Sequence, residues 1–439
     1  MKRIRPTYLR ALCLIVFCCS VPAAFSQRTF NLAITPTNNG VVLSWPSQSA
    51  TPIGDLFIFP QYLVQRSTDL HSWTPISSNL AAPLGHALTF TDTNASLAFY
   101  RVQSIIDEEY AQMSGVVLDS GGLTGADFFG AELFGASLQQ ASLDGAVFAG
   151  ADVRQASFNS SDLTGADFFA AFGSQAIFDD GTLIGADCSF ADFESGSFFD
   201  VDLTGADFSS ATLDGADFDF AFFKNVKLDA NTIIDPKPLQ IWQIVNQGAT
   251  NAVLTNLDLS FGVFIGTSFN GAKLNGSDLA AAILEQTDLR GANFTGANTI
   301  FVDLRGAQMD GTTIIDSKSR LVWQILNQNA GAGADLHGKD LSSTVIVGAD
   351  LIGANLTNAL CSSFICETAN FGAANMTRIN CNSGDFFQAI LTNANLTLGN
   401  FSSADFTDAN LFGATTNGAI FTGATFSNTI MPDGSIRNF

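Results

Sequence analysis

The sequence predicts an all-β stack of short repeated units, interrupted by two helices and preceded by a small β-sandwich. The first observation is a period of five, with apolar centres at Leu118, Leu123, Phe128, Leu133, Leu138, Leu143 and Phe148 that continue to Ile233. The rule returns over 259–314 and 336–431, and a small residue such as Ala126, Ala131 or Ala136 stands two places before most centres. Five is the period of neither helix nor strand. Units this short cannot bury an apolar face alone, so they must stack. The second observation is a pair of segments that break the rule and copy each other at an offset of 81 residues: Thr232-Ile233-Ile234-Asp235 ahead of Ile241-Trp242-Gln243, and Thr313-Ile314-Ile315-Asp316 ahead of Val322-Trp323-Gln324. The third is the different grammar of residues 28–106, where short alternating runs such as Gly40–Trp45 and Tyr62–Ser67 are separated by Gly, Pro, Asn and Ser, the mark of a sandwich of short strands.

Ala166-Asp167-Phe168, Ala206-Asp207-Phe208, Ala216-Asp217-Phe218 and Ala349-Asp350-Leu351 fit an A-(D/N)-L-x-x consensus, and through them the chain resembles the pentapeptide-repeat family. The resemblance implies a right-handed quadrilateral β-helix, one pentapeptide per side and four per coil. Residues 20 apart should then form columns, and they do: Leu123, Leu143, Leu163, Leu183 and Leu203 make one, Phe128, Phe148, Phe168, Cys188 and Phe208 another. Like side chains stacked at the ~4.8 Å strand spacing fill a narrow interior. Lys339, at a position that should be small, suggests a coil not fully formed, and Gly173, a centre without a side chain, suggests a bulge that turns Phe172 inward. In the first segment, Leu43-Ser44-Trp45, Val64-Gln65-Arg66-Ser67, Trp73 and Phe99-Tyr100-Arg101-Val102 resemble fibronectin type III-like modules of exported bacterial proteins, with Trp45 and Tyr100 as core anchors.

Asp235 and Asp316 or Ser317 are suited to cap a helix, Pro236 and Pro238 to open one, and Gly248 to follow its end. Trp242 shares a helical face with Ile241 and Val245, and Trp323 with Val322 and Leu326. Each helix is expected to cover the open end of a stack, while Gln243 and Gln324 are the residues a partner could meet. The organisation is therefore 1–26 signal peptide, 28–106 sandwich, 107–117 linker, 118–234 first block, 235–250 helical break, 251–315 second block, 316–332 second break, 333–431 third block and 432–439 tail.

The opening Lys2, Arg3 and Arg5, the apolar run to Ala24 and the small residues before Gln27 read as an export signal. The net charge is −22, and loss of residues 1–26 makes it more negative. Such a surface repels nucleic acid and anionic lipid, so neither is expected as a partner, and no stable membrane span is expected after signal removal. Most Asp residues stand one place before a centre, where they read as a solvated face that keeps an apolar stack soluble. Cys188, Cys361, Cys366 and Cys381 occupy centres and read as small buried hydrophobes; Cys361 and Cys381, one coil apart, are candidates for a disulfide. His71, His86 and His337 are scattered, no metal spacing or phosphate loop occurs, and the carboxylates recur without singling out a pair. No catalytic residue, cofactor or metal is expected. The reading is a non-catalytic exported scaffold or protein-interaction rod with an acidic surface. The alternatives are a DNA-mimicking topoisomerase-binding protein, as the resemblance allows, and adhesion to cell surfaces or carbohydrate through the sandwich.

Overall fold

The computed structural model describes residues 113–438 and, before them, the backbone of six strands: β1 (Ala33–Thr37), β2 (Gly40–Ser44), β3 (Tyr62–Ser67), β4 (Thr74–Leu80), β5 (Thr89–Asp92) and β6 (Phe99–Ser104). The signal segment 1–26, the start of the linker, Trp45, His71 and His86 lie outside the described residues, as does the Tyr100 side chain. The strands pair antiparallel in two three-stranded sheets, ordered β1-β2-β5 and β4-β3-β6. Two compact units divide the chain, residues 1–235 and 236–439.

In the first unit, parallel bridges join residues 20 apart from Val117↔Ser137 to Asp207↔Lys227. At each centre the backbone alternates its bonds: Leu163 N–H donates to Thr182 O at 2.8 Å in the next coil, and Asp162 N–H to Ala141 O at 3.0 Å in the previous one. No strand need be longer than a bridge, because neighbouring coils satisfy the backbone on both sides. Every side ends in a four-residue turn, as where Ala166 N–H closes onto Leu163 O at 3.0 Å and Gly165 takes φ 65°. That left-handed third position is what a type II turn demands. Coil bonds already begin at Met113, whose N–H reaches Glu132 O at 2.8 Å. They end at β7 (Thr212–Leu213) and β8 (Ile233–Ile234), a parallel pair.

The columns form as expected. Leu143, Leu163, Leu183 and Leu203 are wholly buried, and Phe148 stacks on Phe128 and Phe168 at 4.9 and 4.7 Å between ring centres. Rings on adjacent sides meet edge to face, Phe148 against Phe158 at 5.4 Å and 86°. Both arrangements suit the aromatic quadrupole.

Gly173 corrects one expectation. No bulge turns Phe172 inward; its side chain is exposed and Asp152↔Phe172 is an ordinary bridge. Gly173 instead makes room for the Phe193 ring one coil on, which a Cβ at Gly173 would overlap, and its own φ is not in the left-handed region. Gly173→Val should therefore lower stability by about 1–3 kcal/mol through overpacking. In a Phe193→Ala background the same substitution should cost little, as a double-mutant melting cycle would show.

The second unit opens with α1 (Pro236–Gln247), which Gly248 ends at φ 79° with its N–H on Ile244 O. Coils run from Ala249 to Ile314, α2 (Ser317–Asn327) follows, and coils resume from Gly333 to β9 (Thr429–Ile430). Asp316 caps α2 through the N–H groups of Lys318 and Ser319. Lys339 is exposed, yet its backbone keeps the ladder, with Leu360 N–H on Lys339 O at 2.9 Å. The first coil there is thus formed. The 432–438 tail turns back, and β10 (Ile436–Arg437) pairs antiparallel with β9.

Candidate functional site

The chemistry available to a partner lies on the flat faces and corners of the coils. Asp and Asn one place before a centre point outward, but they are not merely solvated. The Oδ1 of Asp167 accepts the N–H of Phe169 at 2.9 Å, Asp187 that of Ser189 at 3.0 Å and Asp207 that of Ser209 at 3.0 Å. Asn293 and Asn355 do the same for Thr295 and Thr357. Each side chain holds the turn that follows it, which is why Asp and Asn alternate freely there: both offer the required oxygen. Sequence reasoning missed this role, although the interchange of Asp with Asn was its visible signal.

Where a cation stands two places after such an aspartate, it pairs with it. Arg154 binds Asp152 at 2.6 Å, Arg290 binds Asp288 at 2.8 Å and Arg305 binds Asp303 at 2.5 Å. The Arg154 bond holds the Asp152 carboxyl below its usual range, and Arg290 does the same for Asp288. Asp200 is pushed the other way, by burial and by Asp180 beside it.

A second motif marks the end of each of the first two stretches of coil. Asp229 accepts the Ser210 hydroxyl at 2.8 Å and its N–H at 2.9 Å, and Thr232 donates its hydroxyl to Phe208 O. Its copy Asp310 accepts the Thr312 hydroxyl at 2.6 Å and N–H at 2.8 Å, and Thr313 donates to Leu289 O. These bonds, the hydroxyl first and the N–H second, hold both carboxyls at about 2 against an ordinary 3.8. A pKa depressed in the folded chain adds stability that is complete above the unfolded value and is lost as pH falls through the folded one. Between pH 4 and 2 the melting temperature should therefore drop, and by less in an Asp229→Asn/Asp310→Asn double variant; equal drops would reject the assignment.

The residues singled out in the breaks have different environments. Trp323 is 7 % exposed and donates Nε1–H to Ala307 O at 2.7 Å, while Asn327 spans Leu304 O and Gly306 N–H. Val322 and Leu326, expected to share the Trp323 face, instead pack with Ile325 against the core of the following coils, and Lys318 reaches Ser342 O at 2.8 Å and Asp340 at 3.2 Å. Phe301 N–H bonds Ser343 O directly at 2.9 Å. The helix is thus built between two stretches of coil rather than laid on a free end. Gln324 is half-buried, Trp242 is half-buried and Gln243 is exposed. Asn246 Nδ2–H donates to Trp242 O as Asn327 does to Trp323 O.

Cys188, Cys361, Cys366 and Cys381 are buried free thiols. Burial pushes Cys381 well above the ordinary thiol value, and Cys361 next to it adds to the effect. His337 is exposed. Among the described residues, no group of three or more His, Cys, Asp or Glu is placed to hold a metal ion, and no helix is long and apolar enough to cross a membrane.

The Pentapeptide repeats family profile matches in eight copies, at residues 131–168, 197–229, 250–286, 272–311, 332–360 and 404–438. The coiled region belongs to the pentapeptide-repeat family. Its turn-holding Asp and buried Leu or Phe are the second and third letters of the repeat. Among solved structures, the chain is similar to HetL of Nostoc sp. strain PCC 7120, a pentapeptide repeat protein involved in heterocyst differentiation regulation, at 23 % identity over 69 % of this chain and 91 % of HetL, with a TM-score of 0.21. It is similar to QnrB1, a plasmid-mediated fluoroquinolone resistance protein, at 18 % identity over 51 % of this chain and 99 % of that one, with a TM-score of 0.15. A third is a pentapeptide repeat protein of the Arabidopsis thaliana thylakoid lumen, at 25 % identity over 25 % of this chain and 74 % of that one, with a TM-score of 0.14. Superpositions this poor carry nothing about function. No curated protein matches the chain significantly.

Proposed function

We propose that this pentapeptide-repeat chain is a non-catalytic, exported scaffold that displays acidic faces to a protein partner, with residues 28–106 forming a fibronectin type III-like sandwich. The observation that carries the reading is the shared duty of the outward carboxylates. From Asp162 to Asp405 they hold their own turns in one repeated geometry, so the surface of each unit is a fixed lattice of charge rather than a site with one acid and one base. A lattice fixed by the backbone loses little entropy when a partner binds. Export is supported by the basic, apolar and small-residue pattern of residues 1–26.

A photo-crosslinker placed at Ser189 on a coil surface, in the full chain expressed in its own cells, should yield a discrete protein adduct outside the cytoplasm. Absence of an adduct from this and matching positions on the other sides, or adducts only in the cytoplasm, contradicts the proposal.

A further inference from the structure

One corner of the first unit is more specific than a general acidic face. Phe169 and Phe190 lie on the same corner in successive coils, in edge-to-face contact at 5.6 Å, with 46 % and 61 % of their surface exposed. The contact with Phe169 covers only part of the Phe190 ring. Phe190 holds φ 60°, a conformation that favours glycine, and leaves most of its surface in water. Asp167 and Asp187 stand on the adjoining face, each locked by Oδ1 to its own turn.

The chain itself shows what such a pair of groups holds. On another corner, Arg154 lies 5.8 Å from the Phe134 ring centre, in the coil before it, while its guanidinium pairs with Asp152. In the second unit, Lys237 of α1 reaches onto the coils with its ammonium 5.1 Å from the Phe261 ring centre, and, against burial, its charge adds to the Ser260 hydroxyl and N–H bonds that hold Asp258 below its usual range. The second case is docking in miniature: an element from outside the coils places a cation over a corner phenylalanine beside a turn-holding aspartate. At the Phe169 corner, the position that Arg154 fills over Phe134 is taken by Ser189, which is too short to cover a ring.

Resting on the scaffold reading above, we propose that the Phe169–Phe190 corner docks a basic segment of a partner protein, whose arginine side chains lie over the two rings and pair with Asp167 and Asp187. The negative charge of the whole chain brings such a segment in, and the rings select it from other cations, because guanidinium is weakly hydrated and stacks on aromatic faces.

The test uses the full chain and a labelled twelve-residue peptide with arginine at every fourth position, followed by fluorescence anisotropy. Its citrulline counterpart, alike in shape and uncharged, should bind at least about tenfold more weakly. Phe169→Ser/Phe190→Ser should weaken arginine-peptide binding about fivefold with an unchanged melting temperature. Asp167→Asn/Asp187→Asn, which keeps the turn bonds and removes only charge, should weaken it similarly and flatten its salt dependence. Phe199→Ser, on the corner where Phe199 meets Phe220 at 5.5 Å but Ser197 stands in place of one of the two aspartates, should change nothing. No binding by the native chain, equal binding by the Phe169/Phe190 variant, or an equal loss with Phe199→Ser overturns the proposal, as does sedimentation showing that the Phe pair instead joins two copies of this chain. A failed peptide test alongside a crosslinked partner elsewhere leaves the scaffold reading standing and removes only this corner.

Discussion

Leu163→Asp is expected to abolish folding of the coils around it. Leu163 is wholly buried in the middle of a leucine column, with Leu143 and Leu183 wholly buried in the coils on either side. A carboxylate there has no cation and no spare donor, since the local backbone N–H groups are committed to the ladder. Burying it unpaired costs more than about 4 kcal/mol, a large part of the stability of an ordinary domain. Asp167→Asn, four residues on but outward, should shift the melting temperature hardly at all because the amide oxygen still accepts the Phe169 N–H. Equal melting behaviour in the two variants would defeat the assignment of inward and outward positions.

Trp323→Ala is the second large effect. The indole is buried and its Nε1–H satisfies Ala307 O, so the change leaves both a cavity and an unpaired carbonyl. The loss should be about 3–5 kcal/mol from the second unit. Trp242→Ala should cost less, because its indole is only half-buried. A thermal melt in which Trp323→Ala matches the parent chain would mean that α2 packs loosely and presents its tryptophan outward.

Much of this was legible in the sequence because stacking makes distant residues neighbours at a fixed offset. The leucine and phenylalanine columns, the two helices and the Asp316 cap all follow from periods and copies that can be counted. The misreadings have two causes: what a neighbouring coil does, and bonds to the backbone that polarity alone does not reveal. Gly173 looked like a defect within its own repeat, yet its column reads Leu133, Val153, Gly173, Phe193, Leu213, a small residue beside a large one. The aspartates looked like solvation because polarity is visible in sequence and a bond to a backbone N–H two residues on is not. Trp242 and Trp323 are copies in sequence but not in exposure, since their burial depends on what each helix meets. For the corner at Phe169 and Phe190 there was a signal, two aromatics at turn positions where Gly, Thr and Ser are usual, but nothing in the period marks them as exposed.

The central claim is that the helical interruption α2 is part of the stack. Amide hydrogen exchange of the full chain tests it directly. If α2 is built in, its amides should exchange no faster than those of the flanking coils around Leu304 and Leu341, and Trp323→Ala should speed all three together. Fast exchange of residues 317–327 while coils on both sides stay protected would contradict the account, making α2 a tether between independent stacks.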